Sequence, residues 1–186
     1  MTTDKRFAWV DLETTGSNEE IDQVIEVGIA LANSIGDEFP YGVMSFVAHV
    51  EYEQIKAAPI AVQKMHEKND LWADALKTKK TVAEIDESID RWFAAITGEN
   101  PDSQFILCGS GVGHFDSRFI RRQLPLFAKW LTYWTIDVGV IRRFLRFCDI
   151  DMPPAEDVKT HRALDDALFH MDEGRRYREI IMRSDG

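Results

Sequence analysis

The sequence predicts an α/β fold: a mixed five-stranded sheet, an antiparallel meander first and parallel strands later, flanked by helices. Three observations carry this reading. Three apolar runs follow one another near the start with no helix-length segment between them, so they should pair as antiparallel hairpins. Two later apolar runs alternate with helical patterns, the order of β-α-β units. The chain has 186 residues and shows no repeat, low-complexity tract or dividing linker, so residues 1–186 read as a single domain around one core.

Phe7 to Leu12 reads as the first strand, ending at a turn near Thr15-Gly16-Ser17. Val24 to Ala32 and Gly42 to Val50 are the second and third strands. Pro59–Glu67 and Leu71–Leu76 have the look of short helices. Thr81 and Glu84 form a capping box, and Val82, Ile85, Ile89, Trp92, Phe93 and Ile96 recur at helical spacing behind it. A break at 98–102 precedes a buried strand at Phe105–Cys108. A helix from Phe115 to Leu124 stops at Pro125, and Tyr133–Ile136 is a strand. Asp137 can cap the helix from Val138 to Cys148. Pro153-Pro154 and the acids after them form a loop, and a last helix runs from Leu164 to Met182.

The composition is globular: 45% of residues are hydrophobic and 29% charged. A net charge of −10 argues against wrapping a long duplex, which needs cations on phosphates. The charge is uneven, because residues 1–104 hold 20 of the 32 acidic residues but 9 of the 22 basic ones. The second half is therefore the arginine-rich one. Cys108 and Cys148 sit in apolar stretches and read as buried, reduced thiols. The polar start, Met1 to Arg6, does not resemble a signal peptide, and no apolar run reaches membrane-span length. The expectation is a soluble, cytoplasmic protein with no membrane contact.

Three places carry chemistry. Asp11 and Glu13 stand at i and i+2 of an apolar strand, so both carboxylates project from one face of its end. Like charges so placed repel, and a divalent cation relieves them; an all-oxygen set suits Mg²⁺ or Mn²⁺. Asp116 falls in the first turn of a helix after the fourth strand, a position that also suits a helix-dipole acid. His161 precedes the last helix and Asp166 lies in that helix's first turns. A mobile histidine beside a metal suits general-base work, whereas zinc would want several compactly spaced His or Cys ligands. Four carboxylates could hold two ions about 4 Å apart, an arrangement that activates water and stabilises the leaving oxygen in phosphodiester cleavage.

Asp11-Leu12-Glu13-Thr14-Thr15-Gly16, Phe115-Asp116 and His161-Arg162-Ala163-Leu164-Asp165-Asp166 resemble, in order, the three motifs of the DEDDh exonucleases. The resemblance implies a ribonuclease H-like fold and removal of nucleotides from 3′ ends. It implies that Asp11, Glu13 and Asp166 bind one metal, that Asp11 shares the second with the substrate phosphate, that Asp116 holds it mainly through water, and that His161 deprotonates the attacking water. Within that family the chain is most similar to the oligoribonuclease group, through residues 62–69, 107–110 and 161–166 and through Arg176-Tyr177-Arg178-Glu179. It departs from the group at Ser17, Ala61, Trp134 and Gly139, where those enzymes carry residues that wedge and cap a dinucleotide. The implied partners are single-stranded RNA or DNA, short oligonucleotides in particular, and a second copy of the chain as a homodimer.

The resemblance also implies that Thr14 and His66 contact the substrate. Leu12 and Phe115 could wedge or stack on the terminal base, and core packing is the alternative for both. Arg118, Arg121, Arg122, Arg142, Arg143, Arg146 and Arg162 offer phosphate partners; Arg162 is favoured by its place beside His161. Any single arginine is more often a surface or ion-pair residue. Trp130, Tyr133 and Trp134 read as an aromatic cluster of the core or of a dimer surface. The functional expectation is a metal-dependent 3′→5′ exonuclease that releases nucleoside 5′-monophosphates. The alternatives are a proofreading-like DNA exonuclease and a non-catalytic nucleic-acid-binding module of the same fold.

Overall fold

A computed structural model describes residues 6–98, 100, 103–150 and 160–183. Strands β1 (Arg6–Thr14), β2 (Val24–Ala32) and β3 (Gly42–Val47) come first. Helices α1 (Tyr52–Ala57), α2 (Ile60–Lys68), α3 (Leu71–Lys77) and α4 (Val82–Thr97) lead to β4 (Phe105–Gly109). Then follow α5 (Asp116–Gln123), α6 (Pro125–Ala128), β5 (Leu131–Asp137), α7 (Val138–Phe147) and α8 (Ala163–Arg183). One five-stranded sheet results, in the order β3-β2-β1-β4-β5. The β1–β2 and β2–β3 pairs are antiparallel, and β1–β4 and β4–β5 are parallel, as the run of elements predicts.

The central strand β1 separates two cores. Its even positions Ala8, Val10 and Leu12 face a cluster built from Ile85, Ile89 and Phe93 of α4, Phe119 and Ile120 of α5, and Phe127 of α6. Its odd positions Phe7 and Trp9 pack with Met171 and Tyr177 of α8 and with Val138 and Leu145 of α7. This is the period of two that puts Asp11 and Glu13 on the α8 side. Helix α4 begins as expected: Thr81 Oγ1 accepts from the Glu84 N–H at 3.2 Å, and Glu84 Oε2 accepts from the Thr81 N–H at 2.8 Å. Asp137 caps α7, its Oδ1 accepting from the Val140 N–H at 3.1 Å.

Several expectations need correcting. The third strand ends at Val47 and not Val50, where the chain leaves the sheet. Helices α1 and α6 have no counterpart in the sequence pattern; Pro125, expected only to stop α5, also begins α6. Cys148 is exposed, because it caps the end of α7, while Cys108 is buried in β4; both are free thiols. The three aromatics do not form one cluster. Trp130 packs beside Phe93 and donates to Asp90, whereas Tyr133 and Trp134 meet edge to face on the outer strand at 87% and 70% exposure. The loop at Pro153-Pro154 lies outside the described residues.

Candidate active site

The C-terminal end of β1 holds Asp11 and Glu13, both buried. Opposite Asp11 in the ladder lies Gly28 of β2. A Cβ on Gly28 would stand 2.2 Å from the Ala163 carbonyl carbon and the Leu164 nitrogen. Glycine there lets the start of α8 land directly on the sheet beside Asp11. One turn into α8, Asp166 is buried against the same end of β1. Ligand atoms of Glu13, His161 and Asp166 all lie within 4.8 Å of one another. On the other flank, Asp116 opens α5, buried, and its Oδ1 accepts from the Leu12 N–H at 3.1 Å. The three motifs therefore converge on one strand end from three separate parts of the chain.

His161 is half-buried and adopts a left-handed backbone with φ of 54°. Such a conformation persists only where its surroundings hold it. Here the Asn69 side-chain amide donates to the His161 carbonyl oxygen. The next residue is held harder still. Arg162 donates to Glu26 through Nε and Nη2, the latter at 3.0 Å, and to Asp74 Oδ2 through Nη1 at 3.2 Å. Glu26 also accepts from the Ala163 N–H at 3.0 Å, so one carboxylate ties the arginine and the first turn of α8 to β2. The pairing with Glu26 raises the Arg162 pKa further. The guanidinium expected to meet substrate phosphate is thus engaged by protein carboxylates in this structure and clamps the His161 loop.

His66 is fully buried, which removes it from direct substrate contact in this structure. Its Nε2 stands 3.4 Å from the Thr14 carbonyl oxygen and 3.6 Å from Glu13 Oε2, with Trp72 edge-on to its ring. Burial lowers its pKa to about 4. It supports Glu13 from behind. Leu12 is buried in the core, and the Thr14 hydroxyl donates to the Gly16 carbonyl at 2.6 Å, closing the turn. Phe115 is half-buried, packed against Phe119 and the apolar core, so of the two expected platforms it is the one that keeps some exposure. Of the other arginines, Arg118 and Arg122 pair with Glu19 and Glu20, and Arg142 pairs with Glu173. Arg121, Arg143 and Arg146 form no ion pair among the described residues.

A second set of polar residues was not anticipated. His170 lies fully buried beneath Asp11, its Nε2 3.8 Å from Asp11 Oδ1 and its Nδ1 3.3 Å from Glu173 Oε2. Glu173 accepts from Arg142 at 2.6 and 2.7 Å and from the Tyr177 hydroxyl. Burial pushes the Glu173 carboxyl up, but these hydrogen bonds outweigh it and hold the pKa at about 2. A signal existed: Asp166, His170, Glu173 and Tyr177 recur at intervals of four, three and four, the core-facing stripe of a helix. Glu26 was also visible as the one charge within Val24–Ala32.

The Exonuclease family profile (RNase T type) matches residues 8–173, and the chain belongs to that family. It is an enzyme of the 3′→5′ exonuclease class. Among its relatives it is similar to a probable oligoribonuclease of Dictyostelium discoideum, 27% identical over 96% of this chain and 92% of the relative. The oligoribonuclease of Rhodococcus jostii is 29% identical, over 94% of this chain and 86% of the relative. In fold it matches a zinc-bound Escherichia coli exonuclease I–single-stranded DNA complex with a TM-score of 0.73 at 14% identity, covering 97% of this chain. The chain spans 42% of that exonuclease I chain.

Proposed function

We propose that the protein is a divalent-metal-dependent 3′→5′ exonuclease of short single-stranded oligonucleotides, oligoribonuclease-like, forming one exonuclease domain. The observation that carries the reading is the meeting of Asp11, Glu13, Asp116, His161 and Asp166 at the end of β1. Four buried carboxylates with one imidazole make a donor set that fits hard cations. Asp11, Glu13 and Asp166 would hold one ion, and Asp11 with Asp116 a second. Bound there, Mg²⁺ or Mn²⁺ would offset the carboxylate repulsion, acidify a water and stabilise the leaving oxygen.

The chain's own residues do the rest. A ring nitrogen of His161 takes the proton of the attacking water. The water oxygen forms the new P–O bond, the P–O3′ bond breaks, and the departing nucleotide keeps a 5′-phosphate. The O3′ left on the shortened strand takes up a proton. Phe115 offers a face for the terminal base. The departures at Ser17, Ala61, Trp134 and Gly139 support a substrate range wider than dinucleotides. They also keep a proofreading-like DNA exonuclease as the second reading. A 5′-labelled series of RNA and DNA oligomers of two to about twenty residues, with Mn²⁺, tests both. Faster cleavage of short RNA supports the first reading, and length-independent cleavage of DNA supports the second.

The homodimer expectation finds support in exposed apolar side chains on β5 and α7. Tyr133 and Trp134 on the edge strand β5, with Val140, Phe144 and Phe147 on α7, are all exposed. Aromatics so grouped suit a protein interface. Light scattering on the wild type and on Phe144→Glu would check it. A cytoplasmic location accords with two free thiols. Among the described residues no helix is long and apolar enough to cross a membrane.

A further inference from the structure

We propose that His170, held by Glu173, is a positioning residue that sets the Asp11 carboxylate for metal binding. This rests on the reading of Asp11 as a ligand given above. The imidazole is fully buried and lies between two carboxylates, Asp11 at 3.8 Å and Glu173 at 3.3 Å. Glu173 is itself fixed from two further sides, by the Arg142 guanidinium at 2.6 and 2.7 Å and by the Tyr177 hydroxyl. The ring therefore cannot swing without breaking its bond to Glu173, a carboxylate that Arg142 ties to α7. Gly174, in the next turn, brings α8 close to β1, since a Cβ there would lie 2.3 Å from Trp9 Cη2. Trp9 and Asp11 share one face of β1, so the close approach at Trp9 places His170 under Asp11.

A buried polar string costs more than an apolar one unless it is fully bonded, so its presence calls for a role. Apolar packing alone would be met by leucine at 170, since the neighbouring Met171 of α8 packs in the apolar core. The string instead runs from the protein's α7–α8 seam to the first ligand on β1. Outer partners of this kind orient metal ligands, and their loss typically weakens metal affinity by about 10- to 100-fold.

The test compares wild type, His170→Leu, His170→Gln, Glu173→Gln and Asp11→Ala. Mn²⁺ binding is read by electron paramagnetic resonance without nucleic acid, and folding by circular dichroism. His170→Leu fills the space without polar contact, and His170→Gln restores a polar contact. The expected result is Mn²⁺ affinity lowered about 10- to 100-fold in His170→Leu, less in Glu173→Gln, with partial rescue in His170→Gln. The Mn²⁺ concentration giving half-maximal cleavage should rise in step, with activity recovering at saturating Mn²⁺. Wild-type affinity in folded His170→Leu overturns the proposal. If His170→Leu does not fold, wild-type affinity in Glu173→Gln overturns it instead. Wild-type protein that binds no Mn²⁺ while still cleaving overturns the metal assignment as well, and so separates the two failures.

Discussion

Asp166 and Asp116 are both acids in the first turns of a helix, yet the two flanks of the site are built differently. On the α8 flank, buried or half-buried charges meet in two networks, Glu26–Arg162–Asp74 and His170–Glu173–Arg142. On the α5 flank, Asp116 accepts from the backbone of β1, Phe119 and Ile120 anchor the helix in the apolar core, and Arg118 and Arg122 pair with Glu19 and Glu20. The difference teaches how each ligand is aimed. Helix α8 is located by directional charge pairs, whose loss moves side chains. Helix α5 is located by packing, which tolerates changes of surface charge. Charged groups left buried and unpaired are expensive, whereas exposed pairs contribute little.

The comparison can be broken first at the acids themselves. Asp11→Ala and Asp166→Ala should each lower the cleavage rate by about a thousandfold or more with the fold retained. Steady-state rates with circular dichroism would check this. Gly28→Ala comes next. Its methyl meets the start of α8, so the helix must shift, and a displacement near 1 Å would lower activity by about a hundredfold. On the α5 flank, Ser117→Ala removes only a hydroxyl that donates to the Gly113 carbonyl and should leave activity within a few-fold, and paired rate measurements would show the contrast.

The pH dependence sharpens the point. Glu173 has its carboxyl depressed from 4.5 to about 2 in the folded protein. A depressed carboxylate contributes stability that is present above the unfolded value and is lost as pH falls through the folded one. Wild type should therefore exceed Glu173→Gln by on the order of 3 kcal/mol above pH ~4.5, the gap shrinking towards pH ~2, in urea melts at stepped pH. Smaller again is the contrast between two arginines. Arg162→Ala leaves the buried Glu26 unpaired and should cost about 2–3 kcal/mol. Arg122→Ala breaks a pair whose members are 49% and 61% exposed and should change stability by less than about 0.5 kcal/mol.

Much of this was legible in the sequence. The strand alternation at Phe7–Glu13 put two acids on one face, and the capping box placed α4, because both signals are local. The three motifs told which acids would meet. What stayed hidden were the partners supplied by distant segments. Glu26, Asn69 and Asp74 act on Arg162 and His161 across the fold, so no spacing joins them. Arg162 reads as a phosphate ligand by its proximity to His161, but proximity along the chain does not reveal a carboxylate on β2. His66 lies within a motif that suggests substrate contact, yet its burial is a property of how α2 and α3 pack. Cys148 looked buried from its neighbours and is not, because it ends its helix.

The most direct measurement follows a 5′-labelled single-stranded oligonucleotide with Mn²⁺ in wild type, Asp11→Ala and His161→Ala. The account predicts a ladder that shortens from the 3′ end with mononucleotide product in wild type, and full-length substrate in both variants. Equal rates in wild type and either variant would contradict it.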